Sequence, residues 1–404
     1  MFKIGTVISP RYDLTSIFFY DYHQVLKDLS KFCDIFLAGN ILTKPIYADR
    51  LLSLKPHWLS IFLHNRYTIP LSNLFSIFGY VRKGLEMIYD RYILKNLVSF
   101  FKKQNSDILY LFPRYPNSYH LWLSEELPAK IVVEFWEDQI EHLCQGLETS
   151  KISRKYLELE RVRGYKWLRH TLQKSDCVIV PTVVLKQRLI SLGGRPDRIF
   201  IVPVCQHPIL QRNPSYIRQK HDLKTENVLL YVGSLASYHD LTTVFLALNR
   251  MKSVNVALLI AGGKEGIVNE YRKLLRNTDV RVIYVGRPDT FDLENYIYAA
   301  DICLGIYTSA NPSGFFPASV IKYMLAGKPI VATDLPEIRE MFKGLKAGLL
   351  IKQNDVNDLA SAIDFLLENN QEGIKMGTNA RKIAENNYLW KHHTNTLVKI
   401  FNSL

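Results

Sequence analysis

The sequence predicts an α/β protein built from two doubly wound domains, each a parallel sheet covered by helices on both faces. Three observations carry this. Short apolar runs rich in Val, Ile, Leu and Tyr recur along the 404-residue chain, and a continuous apolar run is what a strand buried on both faces requires. Stretches with helical periodicity lie between them, the alternation that produces a parallel sheet. The length is also ample for two cores.

The first half offers strands at Lys3–Ser9, Asp34–Ala38, Trp58–Leu63, Ile108–Phe112, Ile131–Phe135, Cys177–Pro181 and Ile199–Pro203. Its opening, Met1–Pro10, turns polar too early for a signal peptide and reads as the first strand. Gln206–Asn227 is polar, contains Pro208 and Pro214, and lacks an apolar period, so it reads as a linker. The second half is more regular. Strands are expected at Val228–Val232, Val256–Ala261, Val280–Val285, Ile302–Ile306, Pro329–Ala332 and Gly348–Ile351, with helices at Leu241–Arg250, Leu293–Ala300 and Val356–Leu367. The expected organisation is a first domain over 1–205, a linker over 206–227, a second domain over 228–385 and a final helix over 386–404. Two such sheets facing each other would place a substrate cleft between the domains, because ligands bind beyond the carboxyl ends of the strands.

Composition narrows the class. Apolar residues make up 48% and charged residues 22% of the chain, ordinary globular usage that excludes disorder and fibrous architectures. The five cysteines, Cys33, Cys144, Cys177, Cys205 and Cys303, are scattered and form no CxxC pair. That pattern speaks against a disulfide framework or a zinc site and points to a reducing, cytoplasmic location. No apolar run approaches the ~18 residues of a transmembrane helix. The net charge of +13 calls for an anionic partner. Its excess sits in Met1–Cys205, with 28 Lys+Arg against 19 Asp+Glu. Within that half, Lys55–Lys103 carries eight bases and two acids interleaved with aromatics such as Tyr67, Phe75 and Tyr80. The stretch Tyr67–Lys103 is therefore the expected contact with an anionic membrane surface: its loop Tyr67–Lys83 against lipid, its following helix packed on the sheet. No motif supports nucleic-acid binding.

The loops that end the second-half strands carry the chemistry. Tyr231-Val232-Gly233-Ser234-Leu235 leads to His239-Asp240, and Ala261-Gly262-Gly263-Lys264 and Tyr284-Val285-Gly286-Arg287 repeat the design. A glycine after a strand admits a ligand to the backbone, and the next helix start offers N–H groups to an anion. None is a GxGxxG fingerprint or a P-loop. A fourth segment, Ser313-Gly314-Phe315-Phe316-Pro317, precedes a helix through Tyr323-Met324 and the turn Ala326-Gly327-Lys328-Pro329. On the first-domain side, Ile131–Phe135 runs into Glu134, Glu137 and Asp138, carboxylates able to orient or deprotonate a hydroxyl, and Arg114 and His120 follow Ile108–Phe112.

The ordered motifs from Val228 to about Phe342, with Lys322-Tyr323-Met324-Leu325-Ala326-Gly327-Lys328-Pro329 and Glu337-Ile338-Arg339 at their end, resemble the donor-binding domain of family-four glycosyltransferases. The opening, with Ser9-Pro10-Arg11 and His23-Gln24, resembles members acting in cell-surface polysaccharide synthesis, and the tail Asn387–Lys391 resembles the family's ending, whose last helix returns to the first domain. The resemblance implies a GT-B fold, transfer with retention of anomeric configuration, a nucleotide-sugar donor, a lipid-linked or polysaccharide acceptor and no metal or other cofactor. With it, donor binding is expected on Gly233, Ser234, His239, Gly263, Lys264, Gly286, Arg287, Ser313, Gly314, Phe315, Phe316 and Lys322, while the strand-end positions of the first half put catalysis on Glu134, Glu137, Asp138 and His120. This chain departs from the family at four points. Lys322 stands where the second of two glutamates is usual, no acid lies near Ser313-Gly314, and the basic phosphate clamp aligns with Ser234 and His239. A non-catalytic GT-B binding protein and a GT-B sugar-nucleotide epimerase are the alternatives.

Overall fold

The computed structural model describes residues 3–8, 25–39, 50–53, 94–113, 115, 118–148, 153–210, 213–236, 238–276, 279–308 and 316–404. Two compact units emerge. One comprises Met1–Val202 with His393–Leu404, the other Pro203–His392.

The first unit is a parallel sheet of β1 (Lys3–Ile8), β2 (Asp34–Gly39), β3 (Arg50–Ser53), β4 (Ile108–Leu111), β5 (Lys130–Glu134), β6 (Cys177–Val180) and β7 (Ile199–Ile201), in the order β3-β2-β1-β4-β5-β6-β7. The central strands β4 and β6 are buried at every position, which their uninterrupted apolar sequence requires. Leu109, Ile131, Val133 and Val178 pack against Trp167, Leu168 and Leu172 of the helix Arg154–Lys174. Ser153 caps that helix by accepting from the Tyr156 N–H at 3.3 Å. The final helix, Trp390–Asn402, contributes to this unit from His393 onward, and the Phe401 and Tyr110 rings meet edge to face at 5.5 Å.

The second unit is a parallel sheet of β8 (Asn227–Val232), β9 (Val256–Ala261), β10 (Val280–Tyr284), β11 (Ile302–Gly305), β12 (Ile330–Thr333) and β13 (Leu349–Ile351), ordered β10-β9-β8-β11-β12-β13. One face packs on Tyr296, Ile297, Ile321 and Met324, the other on Val244, Phe245, Leu359 and Ile363. All five cysteines of the chain are buried, and none forms a disulfide.

Most expected strands appear within a residue or two of their positions, with two differences. Trp58–Leu63 lies outside the described residues, and the third strand of the first sheet is Arg50–Ser53. Four residues at a sheet edge are too short to show a period. The stretch 206–227 is built into the second unit. It carries the helix Pro214–Lys220, capped by Asn213 and seated by buried Ile217, and Gln206 pairs with Leu389. Three spaced apolar anchors, Ile209, Ile217 and Leu223, suffice to fix it without a periodic pattern. Among the described residues no helix is long and apolar enough to cross a membrane.

Candidate functional site

In both sheets the strand order reverses between the first strand and the fourth, β1/β4 and β8/β11, and such a reversal opens a crevice at the carboxyl edge. In the second unit the three glycine loops are stitched together there. Gly233 N–H donates to the Ala261 carbonyl at 3.0 Å, and Gly262 N–H to the Gly286 carbonyl at 2.6 Å. The Arg287 Nε–H and the Tyr284 hydroxyl both donate to the Gly263 carbonyl at 3.1 Å. Glycine is required by contact as well as by conformation. A Cβ on Gly233 would lie 2.2 Å from His239 Cε1, and one on Gly262 (φ +101°) 2.2 Å from the Gly233 carbonyl oxygen. The result is a backbone shelf of interlocked loops in which Gly263 is buried, Gly233 and Gly286 are half-buried, and Ser234, Lys264 and Arg287 are exposed.

Beside the shelf lies a cluster of buried hydroxyls. Tyr231 bonds to His239 Nδ1 at 2.9 Å and donates to the Ile306 carbonyl at 2.8 Å. The Tyr323 hydroxyl accepts from the Val232 N–H at 3.0 Å. Tyr307 meets Ser319 at 2.9 Å, and its N–H donates to Thr333 Oγ1 at 2.9 Å. Burial raises all three phenols far above the ordinary tyrosine range. These residues tie β8 and β11 together across the reversal, and sequence reading missed them. The only available signal was a polar-tipped aromatic inside otherwise apolar strand and helix runs.

His239 belongs to this cluster. It is 8% exposed, and burial pushes its imidazole down to about 4, so it is neutral at pH 7. Lys322, half-buried, precedes Tyr323 on the helix Ala318–Leu325, whose N-cap Pro317 supplies no side-chain bond. In the first turn of that helix the Ala318 N–H donates to the Phe316 carbonyl at 2.8 Å and the Val320 N–H to the Pro317 carbonyl at 3.0 Å. Phe316 packs toward Tyr388, with ring centroids 6.2 Å apart. Ser313, Gly314 and Phe315 lie outside the described residues, as does Arg114. Glu337, in the first turn after β12, has its carboxyl raised by burial.

The acceptor-side candidates of the first unit fall into separate networks. Glu134 is 2% exposed and receives bonds from the Tyr110 hydroxyl and the Trp136 indole N–H, with His393 Nε2 at 3.9 Å. Burial raises its carboxyl above the usual range. Asp138 caps the helix Gln139–Glu148 through the N–H groups of Ile140 (3.1 Å) and Glu141 (3.2 Å), and it pairs with Arg188 at 3.2 Å. His120 lies in the core, bonded to Thr171 at 2.7 Å, and burial lowers its imidazole to about 3. Glu137 is the most open of the carboxylates, 22% exposed and 3.0 Å from His142 Nδ1.

Residues 215–383 match the family described as Glycosyl transferases group 1. An uncharacterized glycosyltransferase of Methanocaldococcus jannaschii is 25% identical over 189 residues, and that match spans 46% of this chain and about half, 47%, of the relative. The O-antigen chain mannosyltransferase C of Escherichia coli is 22% identical over 80% of this chain and 83% of its own. Among solved structures, a glycosyltransferase from Rickettsia africae superposes with a TM-score of 0.71 at 15% identity, covering 100% of this chain and 98% of that one. Anabaena HepE, solved in complex with UDP and glucose, superposes with 0.69 at 14% identity over 100% of both chains. The chain therefore has the two-domain fold of the GT-B glycosyltransferases, and its residues 215–383 match the Glycosyl transferases group 1 family.

Proposed function

We propose that the protein transfers a sugar, with retention, from a nucleoside diphosphate sugar to a hydroxyl of a lipid-linked or polysaccharide acceptor, as a cytoplasmic protein peripheral to the membrane. The observation that carries the reading is the glycine shelf at the β8/β11 reversal. At Gly286, where a Cβ would meet nothing within 4 Å, the backbone is open to a diphosphate, and the exposed Lys264 and Arg287 are placed to meet the charge that develops on the leaving group. The UDP in the HepE complex supports a nucleotide-linked donor, and the O-antigen chain mannosyltransferase among the relatives supports a polysaccharide acceptor. Glu137, with His142 beside it, is the group we assign to orienting the acceptor hydroxyl, since Glu134, Asp138 and His120 are committed to buried bonds.

Titration calorimetry with a panel of uridine, guanosine and thymidine diphosphate sugars tests donor binding. Lys264→Ala and Arg287→Ala are each expected to weaken the productive donor by about tenfold. A chain that binds no member of the panel overturns the reading. One observation favours a second reading, binding without turnover: a neutral His239 and a serine, Ser234, occupy the positions where the family carries its basic clamp. Donor binding with no transfer to membrane extracts would select it.

A further inference from the structure

The helix Arg154–Lys174 buries Leu157, Gly164, Trp167, Leu168, Thr171 and Leu172 on one side. Its other side exposes three large apolar side chains in a row three residues apart, Tyr156 (47%), Leu159 (44%) and Val162 (66%). At 100° per residue these share an outward arc with Lys155, Arg163, Lys166 and Arg169, all exposed. The helix carries seven bases against two acids, Glu158 and Glu160. Both acids are engaged, Glu158 by Arg161 at 2.9 Å and Glu160 by Arg163 at 3.3 Å and by the Tyr115 hydroxyl at 3.0 Å. Among the described residues no carboxylate pairs with Lys155, Lys166 or Arg169.

We propose that this outward face is where the protein docks on an anionic lipid bilayer; the inference rests on the membrane-peripheral part of the function proposed above. A convex ridge of protruding apolar tips ringed by unneutralised bases fits a fluid, negatively charged surface. The apolar tips enter the acyl boundary while the long basic stems lie along it with their heads at the phosphates. It also explains why exposed apolar side chains are tolerated here in a row. The loop Tyr67–Lys83 expected from sequence to meet lipid lies outside the described residues, and the helix over 94–104 turns Leu97 and Phe101 into the core, in line with the packing expected for it.

Cosedimentation with phosphatidylcholine vesicles, with and without phosphatidylglycerol, tests the assignment. The full chain is expected to bind the anionic vesicles and to be released by high salt. The double variants Leu159→Gln/Val162→Gln and Lys155→Glu/Lys166→Glu are each expected to bind at least about tenfold more weakly. Val254→Gln, which alters an equally exposed apolar residue (66%) of the second unit, is expected to bind as the parent does. Unchanged melting temperatures show that the variants are folded. Absence of vesicle binding by the parent, equal binding by the parent and both double variants, or equal binding to neutral vesicles overturns the proposal. So does a change in sedimentation mass of the Gln variant without lipid, which would assign the face to self-association. Donor binding, read separately by calorimetry, can fail without altering any of these outcomes.

Discussion

The Tyr231 hydroxyl accepts its hydrogen bond from His239. Its single proton is directed at the Ile306 carbonyl, 2.8 Å away, so the 2.9 Å contact with the imidazole is made by a protonated Nδ1. His239 is thereby held as a neutral ring in one tautomer, flanked by Tyr238 at 4.7 Å and Tyr307 at 5.5 Å between ring centroids. It props Gly233 and the end of β8 from beneath and brings no charge to the shelf.

Donor affinity should consequently be flat between about pH 6 and 8, since a nucleoside diphosphate sugar does not titrate there and His239 stays neutral down to about 4. A histidine cation on the diphosphate would instead make affinity fall as pH rises through about 6.5. Calorimetry at three pH values separates the two. His239→Lys, which forces an ammonium into the aromatic slot, is expected to lower stability by about 2 kcal/mol or more, seen as a reduced urea midpoint.

Two glycines of the shelf should respond differently to alanine. At Gly233 the new methyl would meet the His239 ring at 2.2 Å, so Gly233→Ala is expected to displace the ring, destabilise the second unit by about 1–3 kcal/mol and abolish donor binding. At Gly286 a Cβ meets nothing within 4 Å and only the positive φ of +77° is penalised. Gly286→Ala should cost about 1 kcal/mol and leave donor binding measurable. Equal losses at both sites would refute the ring-prop account.

How much of this was visible beforehand follows the physics of each element. Strands such as Val256–Ala261 were legible because burial on both faces leaves an unbroken apolar run. The glycine loops were legible because strand ends packed this closely, Gly233 against His239 and Gly262 against the Gly233 carbonyl, need residues without side chains. The hydroxyl cluster was not, since Tyr231 and Tyr323 are satisfied by backbone atoms of Ile306 and Val232, 75 and 91 residues away in sequence. Glu134, Asp138 and His120 carry the right chemistry after the right strands, and nothing local distinguishes a carboxylate facing solvent from one capping a helix or sealed by Tyr110.

His120 gives the first unit an acid-sensitive core. Its imidazole is lowered to about 3 by burial and by His170, whereas the unfolded chain protonates near 6.5. The unfolded state thus binds the extra proton first, and stability must fall as pH drops below about 6.5, the loss becoming complete near 3. Urea melts followed by tryptophan emission report this directly, because the Trp167 ring lies 5.5 Å from His120. His120→Gln, which keeps an N–H for Thr171, should flatten the decline between about pH 6.5 and 4. An unchanged slope would show that His120 is not its source.

Glu134 titrates in the opposite sense. Burial raises its folded pKa above the unfolded value near 4.5, so the folded state holds the proton more tightly and stability declines as pH rises from about 4.5 through the folded pKa. Glu134→Gln removes that decline while still offering an oxygen to the Trp136 N–H and an amide to the Tyr110 hydroxyl, so its stability relative to the parent should increase with pH. Glu134→Ala leaves both groups buried without a partner and should cost about 2–4 kcal/mol. The same pair decides the chemistry. A sealed carboxylate that only positions Tyr110 and Trp136 predicts transfer by Glu134→Gln within a few-fold of the parent, whereas Glu137→Gln, altering the carboxylate that reaches solvent, should reduce kcat by about a hundredfold or more with donor affinity intact. The reverse ranking would make Glu134 the acceptor-side group and require its burial to be relieved before the sugar is transferred.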